Sequence, residues 1–335
     1  MKISVIGEGA WGTAISTLLA ANNHDVLVWC YHENIVNEIN TLHQNRRYMS
    51  GAKLSKKISA THSLKEAIEY SDYVFEAIPV QYLRNVLENS KDFIKENQIW
   101  IALSKGIEED TLLLPTQMVD EIFANKTINC AISGPSFAQE LTKKTLTAVD
   151  CAAKDVKVAK EVSDILNNEY FRACVTQDLI GVQVAGALKN VVTLGVGLLE
   201  GANVNITENI QKSGDNTRAM LITTGMHEIA KLVQKMGGKV ETVYGLSGLG
   251  DLILTSTGKL SRNLEIGRRL GSGQSLEKII EETGYTPEGI NTAKSVFKLS
   301  KKYDISMPLC TGIFNVINGS RTVCDLLPNL FNCLI

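Results

Sequence analysis

The chain opens on Lys2-Ile3-Ser4-Val5-Ile6, a short apolar run rich in β-branched residues, and passes through Gly7-Glu8-Gly9-Ala10-Trp11-Gly12 into the helical pattern Thr13 to Ala21. A strand, a glycine turn and a helix are the predicted elements. The alternation continues with strand Asp25 to Cys30, strand Lys57 to Thr61, helix Ser63 to Tyr70 and strand Tyr73 to Ile78, which Pro79 closes. Helix Val80 to Leu87, strand Gln98 to Leu103, helix Thr111 to Ala124 and strand Ile128 to Ile132 follow, then Leu146 to Ala152, helix Lys154 to Leu166 and Tyr170 to Val175. Short apolar runs alternating with helical periods predict an open parallel sheet with helices on both faces. From Asp178 onward the periods are helical, with glycine-rich junctions and no strand pattern. The expected architecture is an α/β parallel-sheet domain over residues 1–176 and an all-α domain over 177–335.

Gly7, Gly9 and Gly12 stand in the spacing G-x-G-x-x-G between a strand and a helix, the setting of a dinucleotide-binding turn. Gly7 permits the tight turn, Gly9 lets backbone approach a pyrophosphate, and Gly12 lets the helix pack closely on the sheet. The free N–H groups and positive dipole end of that helix then face the phosphates. This predicts a Rossmann-type N-terminal domain. In such a sheet an acid at the end of the second strand holds the ribose 2′-hydroxyl. Here the strand ends Trp29-Cys30-Tyr31-His32-Glu33, so Glu33 is the nearest carboxylate after it, and Arg46 and Arg47 are the cations available to a 2′-phosphate. Ligands bind beyond the carboxyl ends of the strands, where Pro79, Lys105 and Gly134 fall.

With 335 residues, of which 44% are hydrophobic, the chain is long enough for two cores. Its 34 basic and 36 acidic residues leave a net charge of -2, which argues against nucleic acid or an anionic membrane as the main partner. The seven cysteines are scattered, with no C-x-x-C pair, and read as reduced thiols of a cytoplasmic protein. The five histidines lack metal-ligand spacing, so no metal site is expected. Met1 leads straight into a strand, leaving no room for a signal peptide. The longest apolar stretch, Val182 to Leu199, is interrupted by Gln183, Lys189 and Asn190 and reads as a buried helix instead of a membrane span.

Several polar residues stand out against this apolar background. Lys189-Asn190 lies inside Gly186-Ala187-Leu188-Lys189-Asn190-Val191-Val192. A lysine buried there loses hydration, and its pKa falls readily, which suits an acid or base; a snorkelling lysine is the bland alternative. Ser104-Lys105-Gly106 places a second lysine at a strand end. The glycine-dense Gly245-Leu246-Ser247-Gly248-Leu249-Gly250 delivers Asp251, a carboxylate that a lysine would neutralise if buried. Ser261-Arg262-Asn263 opens a helical pattern and joins backbone N–H groups to a guanidinium, a combination that serves as a plain helix cap or as a phosphate clamp.

Taken in order, Gly7-Glu8-Gly9-Ala10-Trp11-Gly12-Thr13-Ala14, Ser104-Lys105-Gly106-Ile107-Glu108, Ser133-Gly134-Pro135-Ser136-Phe137-Ala138, Gly186-Ala187-Leu188-Lys189-Asn190, Gly248-Leu249-Gly250-Asp251-Leu252 and Ser261-Arg262-Asn263 resemble the signature set of the bacterial-type NAD(P)-dependent glycerol-3-phosphate dehydrogenases. The resemblance implies interconversion of dihydroxyacetone phosphate and sn-glycerol 3-phosphate with NAD(P)H, the entry to glycerophospholipid synthesis. It implies Lys189 as catalytic acid/base, with Lys105 touching cofactor and substrate, and Gly134, Ser136, Asp251, Ser261, Arg262 and Asn263 lining the substrate. Ala10, Trp11, Tyr31, Ala138, Arg262, Thr286 and Glu288 correspond to cofactor contacts, and Asn190 and Thr255 join the catalytic cluster by similarity to eukaryotic relatives. A homodimer through the helical part is the expected assembly. The sequence departs from the family pattern at Tyr31 (commonly Arg or His), at Met49-Ser50-Gly51, at Val80, at Thr286 and in the longer stretch Ala202 to Ser213; the apolar tail Leu330 to Ile335 is expected to pack on the body or a partner subunit. Two alternatives compete. A hydroxyacid or ketopantoate-type reductase shares the domain plan but takes a carboxylate substrate. A dinucleotide-sensing regulator would need a DNA- or partner-binding module, and no basic helix-turn-helix segment is evident.

Overall fold

The computed structural model describes residues 1–203 and 213–326. The expectations for Ala202 to Ser213 and for the tail Leu330 to Ile335 therefore fall largely or wholly outside the described residues. The predicted strands and helices appear in order, with α2 and α6 in addition to them: β1 (Lys2–Ile6), α1 (Ala10–Ala21), β2 (Asp25–Trp29), α2 (Glu33–Leu42), β3 (Ile58–Thr61), α3 (Leu64–Glu69), β4 (Tyr73–Glu76), α4 (Val80–Glu88), β5 (Ile99–Ala102), α5 (Pro115–Ile122), β6 (Ile128–Ser133), α6 (Ala138–Thr142), β7 (Thr147–Ala153), α7 (Val156–Leu166) and β8 (Phe171–Thr176). They form one eight-stranded sheet in the order β3-β2-β1-β4-β5-β6-β7-β8. The inner strands are nearly continuous apolar runs, buried from Ile3 to Ile6 in β1, Ser4 included, and throughout Ile99 to Ala102 in β5, as a sheet covered on both faces requires. β1 pairs in parallel with β2 on one side and β4 on the other, so the chain reverses its winding there and opens a crevice at the strand ends.

The sheet departs from the expected all-parallel pattern at one edge. β6 and β7 are antiparallel, and β8 runs parallel to β7. β6 and β7 are joined by residues 134–146, whose one helix is the 5-residue α6, and β7 starts at the end of the sheet where β6 stops.

Local chemistry sets the helix starts. Ser63 and Asp155 accept from Glu66 N and Lys157 N and cap α3 and α7. The helix expected over Thr111 to Ala124 begins only at Pro115, whose fixed φ and missing N–H suit a first turn. The preceding residues fold elsewhere: Leu112 is at φ 63, and Ile107 and Leu114 are buried in the helical core. One compact unit accordingly comprises Met1–Ser104 and Pro115–Leu179, and the other Lys105–Leu114 and Ile180–Ile335.

Within the second unit the elements are α8 (Leu179–Ala202), α9 (Asp215–Lys235), α10 (Val240–Val243), a π-type turn at Leu246–Gly250, α11 (Asp251–Thr257), α12 (Arg262–Gly271), α13 (Leu276–Thr283), α14 (Glu288–Lys302) and α15 (Pro308–Ile317). α8 is its hub. Among the described residues it is the one helix long and apolar enough to cross a membrane, and 94% of its apolar window is buried within the protein. Its glycines meet α12 backbone to backbone: a Cβ on Gly201 would lie 2.0 Å from Arg268 O, and one on Gly267 would lie 2.4 Å from Leu194 O. Ser295 Oγ donates to Ile107 O and Lys298 Nζ to Glu109 O, which ties the Lys105–Leu114 segment to α14.

Candidate active site

The glycine turn after β1 has the shape its spacing predicts. Gly7 adopts φ +124, and a Cβ there would lie 2.8 Å from Ala77 O. A Cβ on Gly12 would meet Gly7 O at 2.0 Å, so only glycine lets α1 start this close to the strand. Gly9 is different: its φ of -60 suits any residue, and a Cβ would meet nothing within 4 Å. The open space beside Gly9, with no side-chain cap and no acid in the first turn of α1, fits a pyrophosphate on the helix N–H groups. Helix α1 begins at Ala10, earlier than the expected Thr13, because Gly9 serves as its N-cap. Ala10, Trp11 and Ala138 stand partly buried against the sheet core.

Around this turn, residues the motif does not mention hold the backbone. Asn45, wholly buried, donates to Glu8 O and to Thr13 Oγ1, each at 2.8 Å, and Thr13 Oγ1 donates to Glu8 O at 3.1 Å. Glu76, at the end of β4, is buried and accepts from Ile78 N at 2.5 Å and Ser104 Oγ at 2.7 Å, fixing two strand ends at once. A lone Glu within an apolar strand run was the available sequence signal for Glu76; nothing marked Asn45 in its polar stretch. Tyr31 is 70% exposed past the end of β2. Gly134 sits at φ +149, with Ser136 Oγ donating to its carbonyl at 2.9 Å, so these two share one turn ahead of α6.

The second unit concentrates the charged candidates. Lys189, in α8, is buried and donates to Asp251 Oδ1 at 3.0 Å and to Thr255 Oγ1 at 2.7 Å. Lys105 Nζ takes the other carboxylate oxygen, Asp251 Oδ2, at 2.5 Å. Asp251 reaches this position because the π-type turn, closed by Gly250 N to Gly245 O at 3.0 Å, runs directly into α11. Thr255 lies one turn further along α11 and donates to Asp251 O at 2.6 Å. The cluster thus joins two ammonium groups, one carboxylate and one hydroxyl.

Burial and charge oppose each other here. Loss of hydration pushes the Lys189 ammonium down, Asp251 pulls it back up, and Lys105 and Arg262 push it down again, leaving it at about 8. For Asp251, burial works upward, but the positive charges of Lys105 and Lys189 outweigh it and hold the carboxyl below its usual range.

A second polar chain adjoins Lys189 in sequence. Asn263 Nδ2 donates to Asn190 Oδ1 at 2.9 Å, and Gly289 N donates to Asn263 Oδ1 at 3.1 Å. Gly289, which sequence reasoning did not single out, has no room for a side chain: a Cβ would fall 2.7 Å from Asn263 Oδ1. Ser261 caps α12 by accepting from Leu264 N at 3.2 Å, and the Arg262 guanidinium stands 5.2 Å from the Tyr285 ring centroid. Thr286 precedes α14 and half-buried Glu288 opens it, next to Gly289. Among the described residues no group of His, Cys, Asp and Glu could hold a metal ion.

A parallel sheet that presents a pyrophosphate turn at its switch point marks the Rossmann-type dinucleotide-binding proteins, and comparison with known proteins narrows this to an oxidoreductase. Residues 2–159 match the N-terminal model of NAD-dependent glycerol-3-phosphate dehydrogenase and residues 178–328 its C-terminal model. The chain belongs to the NAD-dependent glycerol-3-phosphate dehydrogenase family. A glycerol-3-phosphate dehydrogenase of Bacillus cytotoxicus, named for NAD(P)+, is 39% identical over 331 residues, covering 98% of this chain and 94% of that protein. The crystal structure of glycerol-3-phosphate dehydrogenase from Coxiella burnetii superposes with a TM-score of 0.91 at 29% identity, covering 98% of each chain. A ketopantoate reductase from Ralstonia eutropha is similar in fold alone, with a TM-score of 0.62 at 13% identity over 97% of this chain and 99% of that one.

Proposed function

We propose that this chain reduces dihydroxyacetone phosphate to sn-glycerol 3-phosphate with NADH or NADPH, reversibly, and that the product feeds glycerophospholipid synthesis. The observation that carries the catalytic roles is Lys189, buried on Asp251 and Thr255 and titrating at about 8. With the dinucleotide's pyrophosphate on the glycine turn, its nicotinamide would supply a hydride to the ketone carbon. Negative charge then grows on the carbonyl oxygen, and Lys189 as ammonium stabilises it and gives up its proton there. In the reverse direction, neutral Lys189 takes the proton from the hydroxyl. Asp251 orients both lysines, and Thr255 fixes the direction of the Lys189 N–H bonds. Lys105 adds positive charge beside the same carboxylate and touches substrate and cofactor.

The phosphate is assigned to Ser261, Arg262 and Asn263 at the start of α12, which supplies backbone N–H groups, a guanidinium and an amide. Asn190 holds Asn263 in place, and the non-reacting phosphate provides the binding energy that positions the carbonyl. Gly134 and Ser136 are assigned to the substrate. Gly7, Gly9, Gly12, Ala10, Trp11, Tyr31 and Ala138 are assigned to the dinucleotide, with Lys105, Arg262, Thr286 and Glu288. Most of the cofactor residues fall within residues 1–176 and most of the substrate residues within 177–335, and the assembly is assigned as a cytoplasmic homodimer; light scattering on the purified protein checks the assembly. The test of substrate class is a comparison of dihydroxyacetone phosphate with ketopantoate and with 2-oxo acids as oxidants of NADH. Turnover confined to the triose phosphate is expected, and turnover confined to the carboxylates would reject the phosphate assignment.

A further inference from the structure

The end of β2 carries no acid of its own, yet the structure brings one there. Glu8, the second residue of the glycine turn, is 6% exposed. Its Oε2 accepts from His32 N at 3.2 Å and its Oε1 is bonded to the His32 ring. Thr13 and Asn45 anchor its carbonyl. The neighbouring Cys30 thiol is pushed well up, by burial first and then by the Glu8 carboxylate. The cations offered to a 2′-phosphate point elsewhere. Arg46 Nε and N both donate to Glu38 Oε1, at 2.6 and 3.0 Å, and the Arg47 guanidinium stands 5.3 Å from the Tyr48 ring centroid. Tyr31, exposed and with its ring edge-on to Trp29 and His32, offers a flat face at the same strand end.

Resting on the nicotinamide-dependent activity proposed above, we infer that Glu8 supplies from the glycine turn the carboxylate missing from β2, accepting the ribose 2′-hydroxyl and repelling a 2′-phosphate, so that the enzyme prefers NADH to NADPH. An ionised carboxylate has lone pairs to spare beyond the two bonds from His32. A 2′-phosphate brought against it meets a like charge in a partly dry site, where the repulsion is weakly screened. Tyr31 contributes a stacking face for adenine in place of a cation for phosphate.

The test is direct binding of NADH and NADPH by titration calorimetry, alongside kcat/KM for each, with wild type, Glu8→Gln and Arg46→Ala. Wild type is expected to bind NADH about tenfold or more tighter than NADPH, and Glu8→Gln, which keeps the shape and an acceptor for His32, to narrow that ratio by about tenfold through tighter NADPH binding. Arg46→Ala is expected to leave NADPH affinity within about twofold of wild type. A wild type that binds NADPH as tightly as NADH, a Glu8→Gln variant that weakens both nucleotides by one factor as a purely structural loss would, or an Arg46→Ala variant that loses NADPH alone would each overturn the inference. Binding of neither nucleotide by folded wild type would remove the dehydrogenase proposal beneath it, an outcome distinct from all of these. The Arg46 arm and the wild-type ratio remain decisive even if Glu8→Gln fails to fold.

Discussion

An ammonium group taken out of water among apolar side chains gives up its proton more readily, and Lys189 sits at about 8 because Asp251 only partly reverses that cost. Below this pKa Lys189 is an ammonium and can donate; above it Lys189 is neutral and can accept. Oxidation of glycerol 3-phosphate should therefore rise as pH increases through about 8, and reduction of dihydroxyacetone phosphate should fall over the same range, measured as kcat against pH in each direction. Asp251 acts on Lys189 in the raising direction, so Asp251→Asn should move both limbs to lower pH and cost about 100-fold or more in kcat. Limbs that stay in place would deny Asp251 its hold on the lysine. Lys189 and Asp251 were legible in the sequence because each is a charge in a glycine-rich or apolar setting, whereas Lys105, a lone lysine in a strand-end loop, was singled out by the resemblance to the family. Asn45 and Gly289 were not: their importance lies in bonds to Glu8 O and Asn263 Oδ1, partners distant in sequence.

At the scale of elements, the glycine turn separates two uses of the same residue. Gly12→Ala places a methyl 2.0 Å from Gly7 O, and the forced backbone shift should cost about 1–3 kcal/mol in urea unfolding. Gly9→Ala meets no protein atom within 4 Å, so stability should stay within about 0.5 kcal/mol while NADH affinity falls about tenfold or more. A Gly9→Ala protein that binds NADH normally would show that the open space does not receive the pyrophosphate. The strands, and the helices of the sheet unit other than α2 and α6, were readable from their apolar periods. The reversal of β7 was not, since it is set by how the connection from β6 folds and not by any pattern within β7 itself. The late start of α5 has a similar origin: Leu112 and Leu114, apolar residues inside the expected helix, pack on the core of the other unit.

For the whole molecule, the sequence foretold a sheet followed by helices but drew one linear cut between them. The chain instead lends Lys105–Leu114 to the helical unit, which is how Lys105, read as a strand-end lysine, comes to share Asp251 with Lys189. Ile107 and Leu114 are buried in that helical core, and Ser295 Oγ holds Ile107 O at 2.9 Å, so the position of Lys105 is fixed by packing as well as by charge. That arrangement depends on contacts between segments far apart in sequence, which no local pattern records. On the proposed mechanism this cluster, with Lys189 as its proton donor, drives reduction of a phosphorylated ketone. Absorbance-monitored oxidation of NADH and NADPH by dihydroxyacetone phosphate, wild type against Lys189→Ala, with both proteins shown to be folded by their melting curves, decides it. Turnover by wild type and a loss of about 1,000-fold or more in kcat for Lys189→Ala are expected. A folded wild type that turns over neither cofactor, or a Lys189→Ala variant that keeps its kcat, would contradict it.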